Sequence, residues 1–192
     1  MRYISLMAAG AVAVTATATP SLAVDSSDPA RFVDTLSDEG FAALRSGNKT
    51  AAKAQFRTLL AQHFAVDAIG DRLIRRWSGK ITPAQRAAYK AAFPNFIIGT
   101  YADRLFDYAR ADLKVVRAIP APNGAKVLTT VTKPGARPVN AEWTLDKAGP
   151  AYKVSNLTVA GINLSLTQAA DFDAVIQRQG FDALVALMRK RG

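Results

Sequence analysis

Between Leu113 and Val159 the chain leaves helical spacing for alternation, and the gaps between the alternating runs are short. The runs are 113–119, 125–133, 139–146 and 152–159. In the third, Val139, Ala141, Trp143 and Leu145 alternate with Asn140, Glu142, Thr144 and Asp146, so one face is dry and the other wet. The gaps are filled by turn residues: Pro120 to Gly124, Pro134 to Pro138, and Lys147-Ala148-Gly149-Pro150. A parallel return needs a crossover of roughly a dozen residues or more, which these gaps lack. The runs therefore predict a four-stranded antiparallel meander with one apolar face. That face needs cover, and the rest of the chain reads as helix, so the fold class is α+β, a meander covered by helices.

The covering helices carry their own start and stop signals. Asp28-Pro29 is an N-cap acid followed by proline at N1, and Gly47 ends that helix. A second helix is expected from about Thr50 to Phe64, with Ala52, Phe56, Leu59, Leu60 and His63 on its apolar face. A third starts at Asp67 and stops at Ser78-Gly79. Thr82-Pro83-Ala84-Gln85 has the layout of a capping box and opens a helix running to about Tyr108. Pro94 lies inside it, and proline removes a donor and clashes one turn back, so a kink or break is expected at Phe93–Pro94. Beyond it Phe96, Ile97, Ile98, Tyr101, Leu105 and Phe106 make the helix apolar most of the way round. After the meander, Gly161 to Leu164 reads as a tight connector. A helix from about Gln168 to Gln179 follows, then Gly180, then a last helix ending in Arg189-Lys190-Arg191.

The chemistry for catalysis or metal binding is sparse. With no cysteine, disulfides and thiolate metal sites are excluded, and His63 as the only histidine excludes a multi-histidine zinc site. No Gly-x-Ser-x-Gly elbow presents a nucleophile, and no glycine-rich phosphate loop is present. Ser46-Gly47-Asn48-Lys49 matches an S-x-x-K pattern but lies in a helix break without companion motifs. Asp103 and Asp107 read as a solvated helix face, and Asp171 and Asp173 as acids near a helix start. No cofactor and no enzymatic activity are expected. What remains is bulky apolar surface: Phe93, Phe96, Ile97, Tyr101 and Leu105 are placed to face Val127, Val131, Trp143, Leu145, Tyr152 and Val154, with Ile162 and Leu164 leading into the closing helix. Residue types alone leave two readings open, a closed core or a cavity holding an apolar ligand.

The first residues set the compartment. Arg2 is a short basic segment, Ile4 to Ala18 are apolar or small, Pro20 breaks the run, and Ser21-Leu22-Ala23 suits a cleavage site. Residues 1–23 are thus expected to be a signal peptide, with a single domain over 24–192. The net charge of +10 becomes +9 without Arg2. Outside the cytosol that charge points away from nucleic acid and toward anionic lipid or an acidic protein surface.

Two stretches carry a family resemblance. Residues 139–176, VNAEWTLDKAGPAYKVSNLTVAGINLSLTQAADFDAVI, and residues 61–105, AQHFAVDAIGDRLIRRWSGKITPAQRAAYKAAFPNFIIGTYADRL, resemble the MlaC or toluene-tolerance family. The order of elements agrees from about Asp28 onward. The resemblance implies a nuclear-transport-factor-2-like cone with an apolar cavity between sheet and helices. It also implies a periplasmic phospholipid carrier serving outer-membrane lipid asymmetry. Its partners would be an inner-membrane MCE-type ABC transporter complex and an outer-membrane lipoprotein–porin complex. Asn156-Leu157, Ala160-Gly161-Ile162 and Gln168-Ala169-Ala170-Asp171-Phe172 depart from the family pattern by replacing charge with neutral residues. A close branch of the family accompanies hopanoid synthesis, which makes a hopanoid or similar polycyclic lipid the second candidate for cargo. Two roles of a different class also fit the residues: a small enzyme of the same fold acting on an apolar substrate, and an adaptor without cargo.

Overall fold

The computed structural model describes residues 23–192, and of residues 101–105 the backbone alone. The expected signal peptide lies, but for Ala23, outside the described residues. Helix α1 (Pro29–Arg45) begins where Asp28 accepts from the backbone N–H groups of Ala30 and Arg31 at 2.8 and 3.1 Å. Gly47, at φ +71°, turns the chain into α2 (Lys49–His63), whose first turn is capped by Asn48 through Ala51 N–H at 3.0 Å. The short α3 (Val66–Leu73) passes into a single 3-10 turn at Arg75–Trp77. The capping box of α4 (Pro83–Phe106) forms in both directions, Thr82 N–H to Gln85 Oε1 at 3.0 Å and Gln85 N–H to Thr82 Oγ1 at 3.1 Å.

Helix α4 runs unbroken through Pro94. The break that proline favours is outweighed by packing, because α4 lies against α6, α2 and α3. Gly99 permits the contact with α6: a Cβ there would come within 1.8 Å of the Arg191 carbonyl oxygen. None of the described helices is long and apolar enough to cross a membrane.

The sheet is antiparallel throughout, in the order β1 (Asp112–Ala121), β2 (Gly124–Thr132), β3 (Val139–Ala148), β4 (Ala151–Val159), β5 (Ile162–Asn163). It has five strands, where alternation alone gave four. The fifth forms because Ala160 and Gly161 both take positive φ, 52° and 80°, as a two-residue hairpin turn requires. It pairs Thr158 with Asn163 and Val159 with Ile162. Asn163 then caps α5 (Leu164–Gln179) through Leu166 N–H at 3.1 Å, so this helix starts four residues before the expected Gln168. After Gly180, α6 (Phe181–Arg191) closes the chain.

Two extra residues reset the alternation. Val116 bulges from β1 and Ser155 from β4. As a result Val154 and Leu157, three apart, lie opposite Leu145 and Trp143 on one face. That face carries the first of two cores: α1 and α2 lay Phe32, Val33, Leu36 and Leu59 over Val127, Leu145 and Val154. The second core is all helical. There Leu73, Ile74, Tyr89, Phe93 and Phe96 meet Phe172, Ile176, Phe181, Leu184, Val185 and Met188 of α5 and α6. Trp77 Nε1–H to Asp173 Oδ1 at 2.5 Å, and Gln85 Nε2 to Asp182 Oδ1 at 3.1 Å, tie this core's surface together.

Candidate functional site

The two cores meet at the junction of α2 and α3. Phe64 bridges to Val154 alongside β4, Ala65 N–H donates to the Val154 carbonyl at 2.9 Å, and Arg72 Nη1 reaches the Ser155 carbonyl at 2.9 Å. Beside that junction a groove of about 460 Å3 opens to solvent, within the usual range for a small-ligand site. Leu60 and Ala61 of α2, with Phe64 just after it, form one wall, and Tyr89, Phe93 and Pro94 of α4 the other. Val66, Ala68 and Gly70 of α3 lie between them. Gly70 lets the walls close in, since a Cβ there would lie 3.1 Å from the Phe93 ring.

Charge is confined to the rim: Arg57, Asp67, Lys90 and Lys153. Lys90 is held by Asp71 and Asp67 at 3.3 and 3.5 Å, and these contacts raise its proton affinity. Arg57 contacts a neutral acceptor, Asn95 Oδ1, through Nε at 3.3 Å and Nη2 at 3.1 Å. Lys153 has no ion pair among the described residues. The Tyr89 phenol is buried and donates to the Gly70 carbonyl at 2.9 Å; burial, with Asp71 adding to it, pushes its pKa far above the phenol range. It is a structural donor that stays protonated. His63 packs edge-on against Phe32 with ring centroids 5.9 Å apart, on the sheet side of the seam and outside the groove lining. Among the described residues no cluster of three or more His, Cys, Asp or Glu side chains could hold a metal.

The residues singled out in the sequence fall into separate places. Phe93 lines the groove. Phe96 is buried in the helical core, and Ile97 packs against it. Tyr101 and Leu105 follow on α4, where the backbone alone is described. Val127, Leu145 and Val154 are buried in the sheet core, with Trp143 and Tyr152 packed against it and Val131 half-buried on the same face. Trp143 Nε1–H donates to Thr129 Oγ1 at 3.1 Å, which satisfies both groups on an otherwise apolar face. Leu164 is half-buried in the first turn of α5, and Ile162 is 57% exposed. The α4 residues thus pack with α5 and α6, while α1 and α2 occupy the place over the sheet. Sequence reading missed Arg57, Phe64, Val66 and Lys153 as a set. The one signal was the width of the apolar stripe on α2, of which Leu59 enters the sheet core and Leu60 lines the groove.

The architecture is an α+β fold, a helix-covered antiparallel sheet with a largely apolar recess at the seam of two cores. The same fold occurs in a phospholipid-binding protein from Ralstonia solanacearum, solved in complex with a phospholipid. The match has a TM-score of 0.69 and 23% identity, and covers 87% of this chain and 97% of that one. At this identity the likeness is one of fold. Residues 34–190 match the MlaC protein family, and the chain belongs to that family.

Proposed function

We propose that this chain is a periplasmic lipid carrier, the soluble component of an Mla-type ABC transport system. In that role it moves phospholipid between an MCE-type transporter complex in the inner membrane and a lipoprotein–porin complex in the outer membrane. Membership of the MlaC family and the fold shared with a phospholipid-binding protein support the reading. The observation that carries it is the groove, apolar on both walls and charged only at its rim. Such a site recognises a molecule with a long apolar body and a polar head.

An acyl chain of about 16 carbons represents roughly 12 kcal/mol of exposed apolar surface at ~0.8 kcal/mol per methylene, so lipid does not cross water unaided. A carrier has to match the bilayer within a few kcal/mol, or it fails either to extract or to deliver. Non-directional apolar walls provide such a match. In this reading acyl chains enter between α2 and α4. Phe93, Phe96, Ile97, Tyr101 and Leu105 lie along one wall as the seam parts. Val127, Val131, Trp143, Leu145, Tyr152 and Val154 form the deeper wall, and Ile162 and Leu164 stand at its closing end. No catalytic step belongs to this role. Export through cleavage after residue 23 places the carrier in the periplasm, and N-terminal sequencing of exported protein checks that step.

The test is solvent extraction and mass spectrometry of the mature protein, purified without detergent from membrane-containing cells. Co-purifying phospholipid is expected. A neutral polycyclic lipid would replace phospholipid as the cargo, and absence of any lipid would overturn the carrier role.

A further inference from the structure

We propose that the mouth of the groove selects net-anionic lipid head groups, with Arg57 and Lys153 as the residues that read the charge. The inference rests on the carrier reading and adds a head-group preference to it. Arg57 comes from α2 and Lys153 from β4, and both line the recess whose walls are apolar. They differ from the third rim cation: Lys90 is already neutralised by Asp67 and Asp71, and Asp71 is shared further with Arg86 at 3.1 Å. Among the described residues Asp67 is the only carboxylate in the lining, and it is committed to Lys90. Among the described residues that line the groove, Arg57 and Lys153 therefore leave two positive charges at the mouth without a lining acid paired to them.

The two cations suit different parts of the task. The Arg57 fork is held at the rim by the Asn95 amide oxygen, a neutral contact that orients it without consuming its charge. A guanidinium so placed can engage two oxygens of a phosphodiester at once. Lys153 is a point charge whose field is already felt nearby, since it opposes protonation of His63. Every phospholipid brings one phosphodiester, which satisfies one of the two charges. A choline or ethanolamine head then adds its own cation beside the second charge. A glycerol head adds none. The difference favours the net-anionic lipid, and because the rim is partly exposed, solvent screening holds the preference to about fivefold.

The experiment loads delipidated mature protein from mixed vesicles of phosphatidylcholine and phosphatidylglycerol. The protein is re-isolated, and the ratio of the two lipids it carries is compared with their ratio in the vesicle. Both lipids come from one surface, so attraction of a basic protein to an anionic vesicle cancels. Wild type is expected to carry phosphatidylglycerol enriched about fivefold. Arg57→Gln and Lys153→Gln should each reduce the enrichment, and the double variant should load at the vesicle ratio. Lys190→Gln, which removes an equal charge from α6 outside the groove lining, should keep it. Wild-type loading at the vesicle ratio overturns the proposal and leaves the carrier role standing, as does enrichment that survives in the double variant. A wild-type protein that loads neither lipid overturns both.

Discussion

His63 shows how one side chain couples the seam to pH. Burial at the end of α2 holds its pKa below the usual imidazole value; Glu39 opposes the shift and Lys153 adds to it. In the unfolded chain the ring titrates near ~6.5. Between the folded value and ~6.5 the unfolded chain therefore binds more protons than the folded one, and stability rises with pH across that window. The contribution is fully present above the unfolded pKa and is lost as pH falls through the window. Thermal melts from about pH 7.5 down to about pH 5 should show a steeper loss of Tm for wild type than for His63→Gln. Parallel slopes would remove His63 from the account. In the sequence this residue was legible as a histidine on an apolar helix face. Its partners were not, because Phe32, Glu39 and Lys153 come from α1 and β4, and nothing local to α2 names them.

Helix α4 holds the two element-scale tests, which act in opposite directions. Pro94 cannot donate to the carbonyl one turn back, so the α4 wall of the groove carries a built-in weak point. Pro94→Ala restores the donor and should stabilise the protein by up to about 3 kcal/mol in urea unfolding. The stiffer wall should slow transfer of a labelled lipid between protein and vesicles. Unchanged exchange rates would separate Pro94 from opening of the groove. Gly99 acts by contact: its missing Cβ is what lets α4 touch the backbone of α6. Gly99→Ala must push the helices apart and should cost about 1–3 kcal/mol, read as a lower urea midpoint. The ends of α4 were legible because their determinants are adjacent in sequence, as with Thr82 and Gln85. The continuity through Pro94 was not, since it depends on neighbours far along the chain. The same limit hid the Ser155 bulge and strand β5, where one extra residue and one alanine at positive φ alter a pattern that period-two counting treats as regular.

At the scale of the molecule, the first four strands and their order follow from short gaps and alternation, and they were readable in the sequence. The division into two cores was not. Phe93, Phe96 and Phe172 have the same character as Phe32 and Val127, and hydrophobicity carries no address that assigns them to different clusters. In the carrier reading proposed above, that division gives a bound lipid its thermodynamic role. The groove touches α2 and β4 on the sheet side and α4 on the helical side, so a chain lying in it adds apolar contacts to both cores at their seam. Polar ties cross the same seam, Ala65 to Val154, Arg72 to Ser155 and Arg57 to Asn95, beside the packing of α2 on α4 and of α3 and α5 on β4. A ligand bound only by the folded state stabilises by about 2.7 kcal/mol at a hundredfold excess over its Kd. For a domain of this size each kcal/mol moves Tm by about 2–4 °C. Delipidated protein should therefore melt roughly 5–10 °C below the lipid-loaded form, and reloading from vesicles should restore the difference. Scanning calorimetry on samples whose lipid content is fixed by mass spectrometry measures this directly. Identical melting temperatures with and without verified lipid would mean that the lipid does not bridge the two cores.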